Sequence, residues 1–270
     1  MSLPKQKGNK DLSEISRKIR LTALELYYNA RAGHIGSSMS CTDILTALFF
    51  SVKTSDDKII LSKGHAAAAL YSTLYHCGEI SWQELDTFYH DGTKLPAHPA
   101  PLSFPSIPVA TGSLGHGLPV GCGIALSKKL KAEAGKVFVI ISDGETNEGS
   151  TWEAMHFAVR HQLNNLIVII DNNGLQGFDS HNKALGNTSN PVFWKEAGWE
   201  YASCNGHDPN EIVAQISSNT NTERPFLLSA QTVKGKGISY MENKLEWHYW
   251  PMNEEQYQHA VREISMNNQS

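Results

Sequence analysis

The stretch from Lys136 to Gly174 restricts what this chain can fold into more than any other. Lys136 to Ser142 (KVFVIIS) is a β-branched apolar run with no polar alternation, so neither face of such a strand can meet water. Asp143-Gly144 breaks it. Thr151 to Gln162 then has helical character, and Asn165 to Ile170 is a second buried-strand run ending in Asp171-Asn172-Asn173-Gly174. Strand, helix and strand over about 35 residues make a βαβ unit, hence a parallel sheet covered by helices. A third run, Phe226 to Thr232, ends in the loop Val233-Lys234-Gly235-Lys236-Gly237. The fold class predicted is α/β, a doubly wound, mostly parallel sheet flanked by helices.

The remaining segments fit one domain over 11–265, with flexible tails at 1–10 and 266–270. Residues 11–31 read as an amphipathic helix, because Leu12, Ile15, Ile19, Leu24 and Leu26 fall near helical spacing. Residues 42–51 read as an apolar helix opened by Thr42 and Asp43 in capping positions. Ala66 to His76 and Gly117 to Lys131 are helical in style, and Leu95 to Pro108 is a proline-rich extended loop. Asn253 to Ser270 reads as one polar helix with a frayed end. With 270 residues, 40% of them hydrophobic, the chain can bury a full core.

Net charge is −4, and the 23 basic and 27 acidic residues are interspersed. Without a basic stripe, neither nucleic acid nor an anionic membrane is expected as a partner. Apolar runs such as Leu166 to Ile170 are too short to cross a bilayer. Met1 to Asp11 carries lysines but no apolar core segment, so no signal peptide is expected. Cys41, Cys77, Cys122 and Cys204 are widely spaced, which fits reduced thiols in a cytoplasm.

Asp143 and Asn173 each follow a strand, and parallel strands bring such loops to one sheet edge, where ligands bind in these folds. A carboxylate, an amide oxygen and a nearby carbonyl are hard oxygen ligands suited to Mg²⁺. Gly144 allows close backbone approach to a phosphate, and the helix beyond offers N–H groups at its positive end. The same residue types also make ordinary turns. Twelve histidines are many for this length, and several adjoin glycine, including His34, His65, His116 and His207. Imidazole is the usual acid, base or ligand at neutral pH.

Ser142-Asp143-Gly144, closed by Asn173, resembles the thiamine-diphosphate signature of Gly-Asp-Gly and a later Asn, with Ser142 in place of the first glycine. The rest of the chain resembles transketolase. Gly33-His34-Ile35-Gly36 stands for its Gly-His-Pro-Gly segment, and Ser62-Lys63-Gly64-His65 for its Ser-x-Gly-His segment. His98-Pro99, Thr111-Gly112-Ser113-Leu114-Gly115-His116-Gly117, Glu148-Gly149, Glu153-Ala154, Thr232 to Gly237 and Trp247-His248 follow in the family's order. The wording is most similar to the N-terminal subunits of split bacterial transketolases.

That resemblance implies roles one residue at a time. Asp143, Asn173 and the Leu175 carbonyl would hold Mg²⁺ or another divalent cation such as Ca²⁺ or Mn²⁺. His65, Gly112, Ser113, Leu114, Gly144, Glu145, Asn173, Lys234 and His248 would bind thiamine diphosphate. His34, His65, His98 and His248 would be catalytic, bonding sugar hydroxyls and passing protons. Glu148 and Glu153 match acidic residues at the family's subunit interface, although a polar helical first turn would look the same. His116, His156, His161, His181 and His207 are left as structural or surface residues.

The activity implied is transfer of a two-carbon ketol unit from a ketose or its phosphate to an aldose or its phosphate. The family's pyrimidine-binding domain has no counterpart after Trp250, so a separate C-terminal transketolase subunit is expected to supply it, in an α₂β₂ assembly. Two alternatives stay open. One is a subunit of another thiamine-diphosphate enzyme, 1-deoxyxylulose-phosphate synthase-like or 2-oxoacid dehydrogenase-like; the other is a non-catalytic cofactor-binding half.

Overall fold

The computed structural model describes residues 11–220 and 223–266. Of the tails expected at 1–10 and 266–270, Met266 alone falls among the described residues, where it ends the last helix. A five-stranded parallel sheet organises the chain. Its strands are β1 (Lys58–Leu61), β2 (Val137–Ser142), β3 (Leu166–Asn172), β4 (Glu200–Asn205) and β5 (Phe226–Gln231), in the spatial order β1-β2-β3-β5-β4.

The apolar runs are apolar throughout because both faces of the sheet are covered. Along β2, Phe138 and Ile140 point into one core while Val137, Val139 and Ile141 point into the other. β3 repeats the division, with Ile167 and Ile169 on one side and Leu166, Val168 and Ile170 on the opposite side. Full burial of each such side chain contributes roughly 1.5–3 kcal/mol, so the central strands hold the layers together.

The first core is roofed by α1 (Leu12–Ala30), α2 (Ile35–Ala47) and α3 (Ala67–His76). A short α4 (Trp82–Leu85) follows them. The second core lies under α5 (Gly117–Leu130) and α6 (Gly149–Arg160). After β3 come α7 (His181–Leu185) and α8 (Pro191–Ala197), the latter packed on the second core through Trp194. Then α9 (Pro209–Ser218) and α10 (Glu254–Met266) complete the first layer. Helices on both faces of a parallel sheet are the doubly wound arrangement anticipated from the β-run pattern.

α1 starts as expected, with the Asp11 side chain accepting from the N–H groups of Ser13 and Glu14. The helix expected at 42–51 is different. α2 begins at Ile35, and a π-type turn carries it on from Leu48 to Val52. Thr42 and Asp43 therefore lie inside the helix and do not cap it. The Thr42 hydroxyl donates back to the Ser38 carbonyl oxygen at 2.8 Å, and the Asp43 carboxylate turns inward to the Arg20 guanidinium. Ser, Thr and Asp satisfied in this way sit in helix interiors without ending them.

Among the described residues, one helix, Ile35–Val52, is long and apolar enough to cross a membrane, with a mean hydropathy of 1.3; 78% of it is buried inside the fold. β1 and β4 escaped the pattern reading: β1 has four residues, and β4 is a sheet-edge strand with mostly half-exposed side chains. Cys41, Cys122 and Cys204 are buried free thiols, and Cys77 is exposed.

Candidate cofactor and substrate site

Ser142 pairs with Asp171 in the β2–β3 register, so the chain leaves both strands at the same level. This brings Asp143 and Asn173 to one edge of the sheet, where a cavity of about 480 Å³ opens. Asp143, Gly144, Asn173 and Leu175 line it together with Gly112, Leu114, His34, His65, His98 and His248. Elements far apart in sequence thus meet at the carboxyl ends of the strands, as the topology requires.

Asp143 is 1% exposed. One carboxylate oxygen accepts from Gly144 N–H at 2.8 Å, the other from Gly174 N–H at 2.5 Å. Burial, then the neighbouring Asp171 charge, pushes its carboxyl up to about 7. A carboxylate so short of positive charge is fitted to a divalent cation, which restores the ionised form. The Asn173 amide oxygen, which accepts from Leu175 N–H at 3.1 Å, adds a second hard donor beside it. The carboxylate, amide and backbone oxygens at this edge fit a hard cation, and the neighbouring N–H groups suit the phosphates it would accompany.

Beneath this edge runs a buried polar brace. The Lys63 ammonium pairs with Asp171 and donates to the Ser37 carbonyl oxygen at 3.0 Å. Asp171 also accepts from the Ser40 hydroxyl at 2.6 Å and from the Thr232 hydroxyl. Despite burial, the Lys63 charge and these donors hold Asp171 below its ordinary value. The ends of β1, β3, β5 and helix α2 are thereby tied together.

Four imidazoles form the cavity roof. The His34 ring centroid lies 5.6 Å from that of His65, 5.8 Å from His98 and 5.1 Å from His248, and His65 and His248 are 5.4 Å apart. Burial, with added charge from His98 and Lys234, lowers His34 to about 4. Burial lowers His98 as well, and burial with Lys63 takes His65 well below its ordinary value. All are neutral rings at neutral pH, each able to donate at one nitrogen and accept at the other.

His34 reaches this place through an unusual turn. Its φ is +75° at the start of α2, and its N–H donates to the His248 carbonyl oxygen at 2.9 Å. The preceding Gly33 lies so close to Tyr249 that a Cβ there would meet the Tyr249 carbonyl oxygen at 2.5 Å. Only glycine permits that approach.

Three residues expected at the cofactor, Glu145, Ser113 and Lys234, are not among those lining the cavity. Glu145 does not line the cavity. Its fully buried carboxylate accepts from Ser142 N–H at 2.9 Å, from Gly115 N–H at 3.0 Å and from the Ser62 hydroxyl, so it braces the wall from behind. Ser113 is exposed and outside the lining. Lys234 is buried under the cavity, where its ammonium donates to the Gln176 carbonyl oxygen at 2.9 Å and to His248 Nδ1 at 3.0 Å.

Glu148, expected at an interface, lines the cavity and is exposed, while Glu153 is exposed on α6. Of the histidines left as structural, His207 has a definite bracing contact. Its Nε2 accepts from Val233 N–H at 2.8 Å, so Nδ1 carries the proton donated to Asp43 at 3.0 Å.

Pattern reading missed Lys63, Asn147, Gln176, Phe178 and Tyr249 in the lining. Lys63 was in view inside the Ser62-Lys63-Gly64-His65 segment. The others carry no local signal, because a loop residue's direction depends on what it packs against.

Comparison with known proteins follows the same lines. The family described as "Transketolase, thiamine diphosphate binding domain" matches residues 12–270. An apulose-4-phosphate transketolase subunit of Phocaeicola vulgatus is 40% identical over 260 residues, covering 93% of this chain and 92% of that protein. A 6-deoxy-6-sulfo-D-fructose transketolase subunit of a Clostridium species is 34% identical over 266 residues, covering 94% and 96%. The solved transketolase of Campylobacter jejuni superposes with a TM-score of 0.86 at 29% identity, over 94% of this chain. The chain spans 42% of that transketolase and 44% of the human one, to which it is 32% identical. By family match and by fold, the chain belongs to the transketolase thiamine diphosphate binding domains.

Proposed function

We propose that this chain is the cofactor-binding subunit of a two-subunit transketolase, which moves a two-carbon ketol unit from a ketose or its phosphate to an aldose or its phosphate. The observation that carries the reading is the convergence of four neutral imidazoles, with neighbouring ring centroids 5.1–5.8 Å apart, in the cavity that Asp143 and Asn173 also line. Such a roof suits a polyhydroxylated substrate, since each ring can both donate to and accept from a hydroxyl.

Asp143, Asn173 and the Leu175 carbonyl would hold Mg²⁺, with Gly144, Gly112, Leu114 and His65 facing the diphosphate. Thiamine diphosphate, when bound, supplies the nucleophilic carbon that carries the two-carbon unit. The chain's own residues would do the rest. His34, His98 and His248 orient the sugar, and a neutral imidazole takes the hydroxyl proton as the sugar's carbon–carbon bond opens and returns it to the acceptor.

The need for a partner is supported by the relatives of matching length, whose names describe each as one subunit of a transketolase. We place the second subunit over the cavity mouth, in an α₂β₂ assembly, and the buried free thiols Cys41, Cys122 and Cys204 suit a cytoplasmic setting. The test is to purify the chain and measure thiamine diphosphate binding with and without Mg²⁺. Ketol transfer is then assayed with and without a chain carrying the pyrimidine-binding domain. Binding that needs Mg²⁺, and turnover only with both chains, is the expected result. Robust turnover by the isolated chain would refute the two-subunit reading, and turnover of a 2-oxoacid without ketol transfer would move the assembly to another thiamine diphosphate class.

A further inference from the structure

Next to His248 stands an aromatic residue for which the reaction above has no use. Tyr249 lines the cavity yet is 61% exposed, so it sits where the cavity meets solvent. Its ring centroid is 4.6 Å from that of His248 and 6.0 Å from that of His34, and both contacts are edge-on. Its backbone is held firmly: Tyr249 N–H donates to the Glu246 carbonyl oxygen at 3.0 Å, and Gly33 packs against its carbonyl. At its far end the hydroxyl passes beside the loop after β3, where a Cβ on Gly177 would lie 2.6 Å from Tyr249 Oη. The side chain therefore bridges from the Gly33–His34 turn to that loop, along the outer side of two roof imidazoles.

The hydroxyl is the unusual part. Among the described residues no hydrogen bond involves Tyr249 Oη, although its ring is positioned by contacts on two sides. A tyrosine placed in this way offers an apolar face and a free polar tip at a defined position, which suits a ligand that has both. A carbonyl group held among the imidazoles would leave the rest of its carbon chain to reach toward the mouth, where Tyr249, Phe178 and Leu185 are exposed lining residues.

We propose that Tyr249 is a specificity-determining residue, whose ring walls the outer channel and whose hydroxyl bonds a sugar hydroxyl beyond the reacting carbonyl. This rests on the transketolase reading above. The ligand class is a hydroxyaldehyde or ketose long enough to reach the mouth. A two-carbon aldehyde ends short of Tyr249 and gains nothing from it.

The test uses the assembled two-subunit enzyme with xylulose 5-phosphate as donor and two acceptors, glycolaldehyde and erythrose 4-phosphate. The quantity read is the ratio of kcat/KM for the long acceptor to that for the short one. In Tyr249→Phe the ratio should fall roughly tenfold, the size of one lost substrate hydrogen bond, and in Tyr249→Ala at least as far. The side chain is mostly exposed in this chain, so thermal melting of each variant chain before assembly should stay near that of the parent chain. A ratio unchanged in both variants overturns the proposal, as does an equal fall for the two acceptors. Loss of association between the two chains, in place of a changed ratio, would make Tyr249 an interface residue and also overturn it. If the unsubstituted assembly transfers no ketol unit at all, the transketolase reading fails first and takes this proposal with it.

Discussion

The Lys234 ammonium lies 3.0 Å from His248 Nδ1 and 2.9 Å from the Gln176 carbonyl oxygen, so one buried cation sets the state of a roof imidazole. An ammonium only donates; Nδ1 must therefore accept, and the ring proton remains on Nε2. Burial, with the Lys234 charge next, holds His248 down to about 3, and burial with Lys63 lowers Lys234 to about 8. Lys234→Met should shift the His248 titration upward toward its ordinary value. Ring-proton NMR across pH would read this directly. An unmoved titration would mean that the ammonium does not govern that ring.

Asp143→Asn keeps the shape of the side chain and removes the charge. Thiamine diphosphate binding supported by Mg²⁺ should disappear in calorimetry, while the circular dichroism spectrum is retained. The cation-free protein should lose no stability at pH 8. There, a buried carboxyl pushed up to about 7 is being forced into its ionised form in the parent. A lower urea midpoint for the variant under those conditions would contradict the burial argument.

Arg20 and Asp43 form a buried ion pair between α1 and α2. Burial alone would raise the Asp43 carboxyl, yet the Arg20 guanidinium and His207 hold it at about 2. Arg20→Met leaves this carboxylate without its main partner, and urea unfolding at pH 7 should report a loss of about 3–5 kcal/mol. The sign with pH follows from the depressed value. Stability from the pair is present above the unfolded carboxyl value of 3.8 and is lost as pH falls toward about 2, so the parent–variant gap should close over that window. A gap that stayed constant would show that the loss came from packing.

His34→Ala and His98→Ala should lower turnover of the assembled enzyme by roughly 10²–10⁴, the usual contribution of a positioned acid–base group. Cofactor affinity should change far less, because both rings stand in the roof, 5.8 Å apart, away from the Asp143 edge where the diphosphate is proposed to lie. Steady-state kinetics paired with direct cofactor titration separates the two effects. Equal loss in both measurements would return these histidines to a structural part.

Burial on two faces leaves a mark in the residues themselves. Val137 to Ile141 and Leu166 to Ile170 are apolar at every position because each alternates between two covered cores, and that pattern alone requires a parallel sheet flanked by helices. The breaks after those runs, at Asp143 and Asn173, then fall at the same sheet edge by topology. So the fold class and the candidate metal edge could be read in advance. Thr42 and Asp43 misled the reading because a capping residue and an inward-bonded helix residue have the same identity.

Tertiary packing alone decided the rest. His34 and His248 are brought within 5.1 Å by a main-chain hydrogen bond across more than two hundred residues, and by a glycine packed against Tyr249. Motif order singled out the histidines, but no periodicity encodes their mutual distance. Likewise Glu145 and Ser113 belong to segments that face the cavity, yet Glu145 is turned behind the wall by three hydrogen bonds and Ser113 toward solvent. Hydrophobic pattern reports how deeply a residue is buried, a local average over its own element. Where a polar side chain points depends on partners from other elements, and those exist only once the layers have closed.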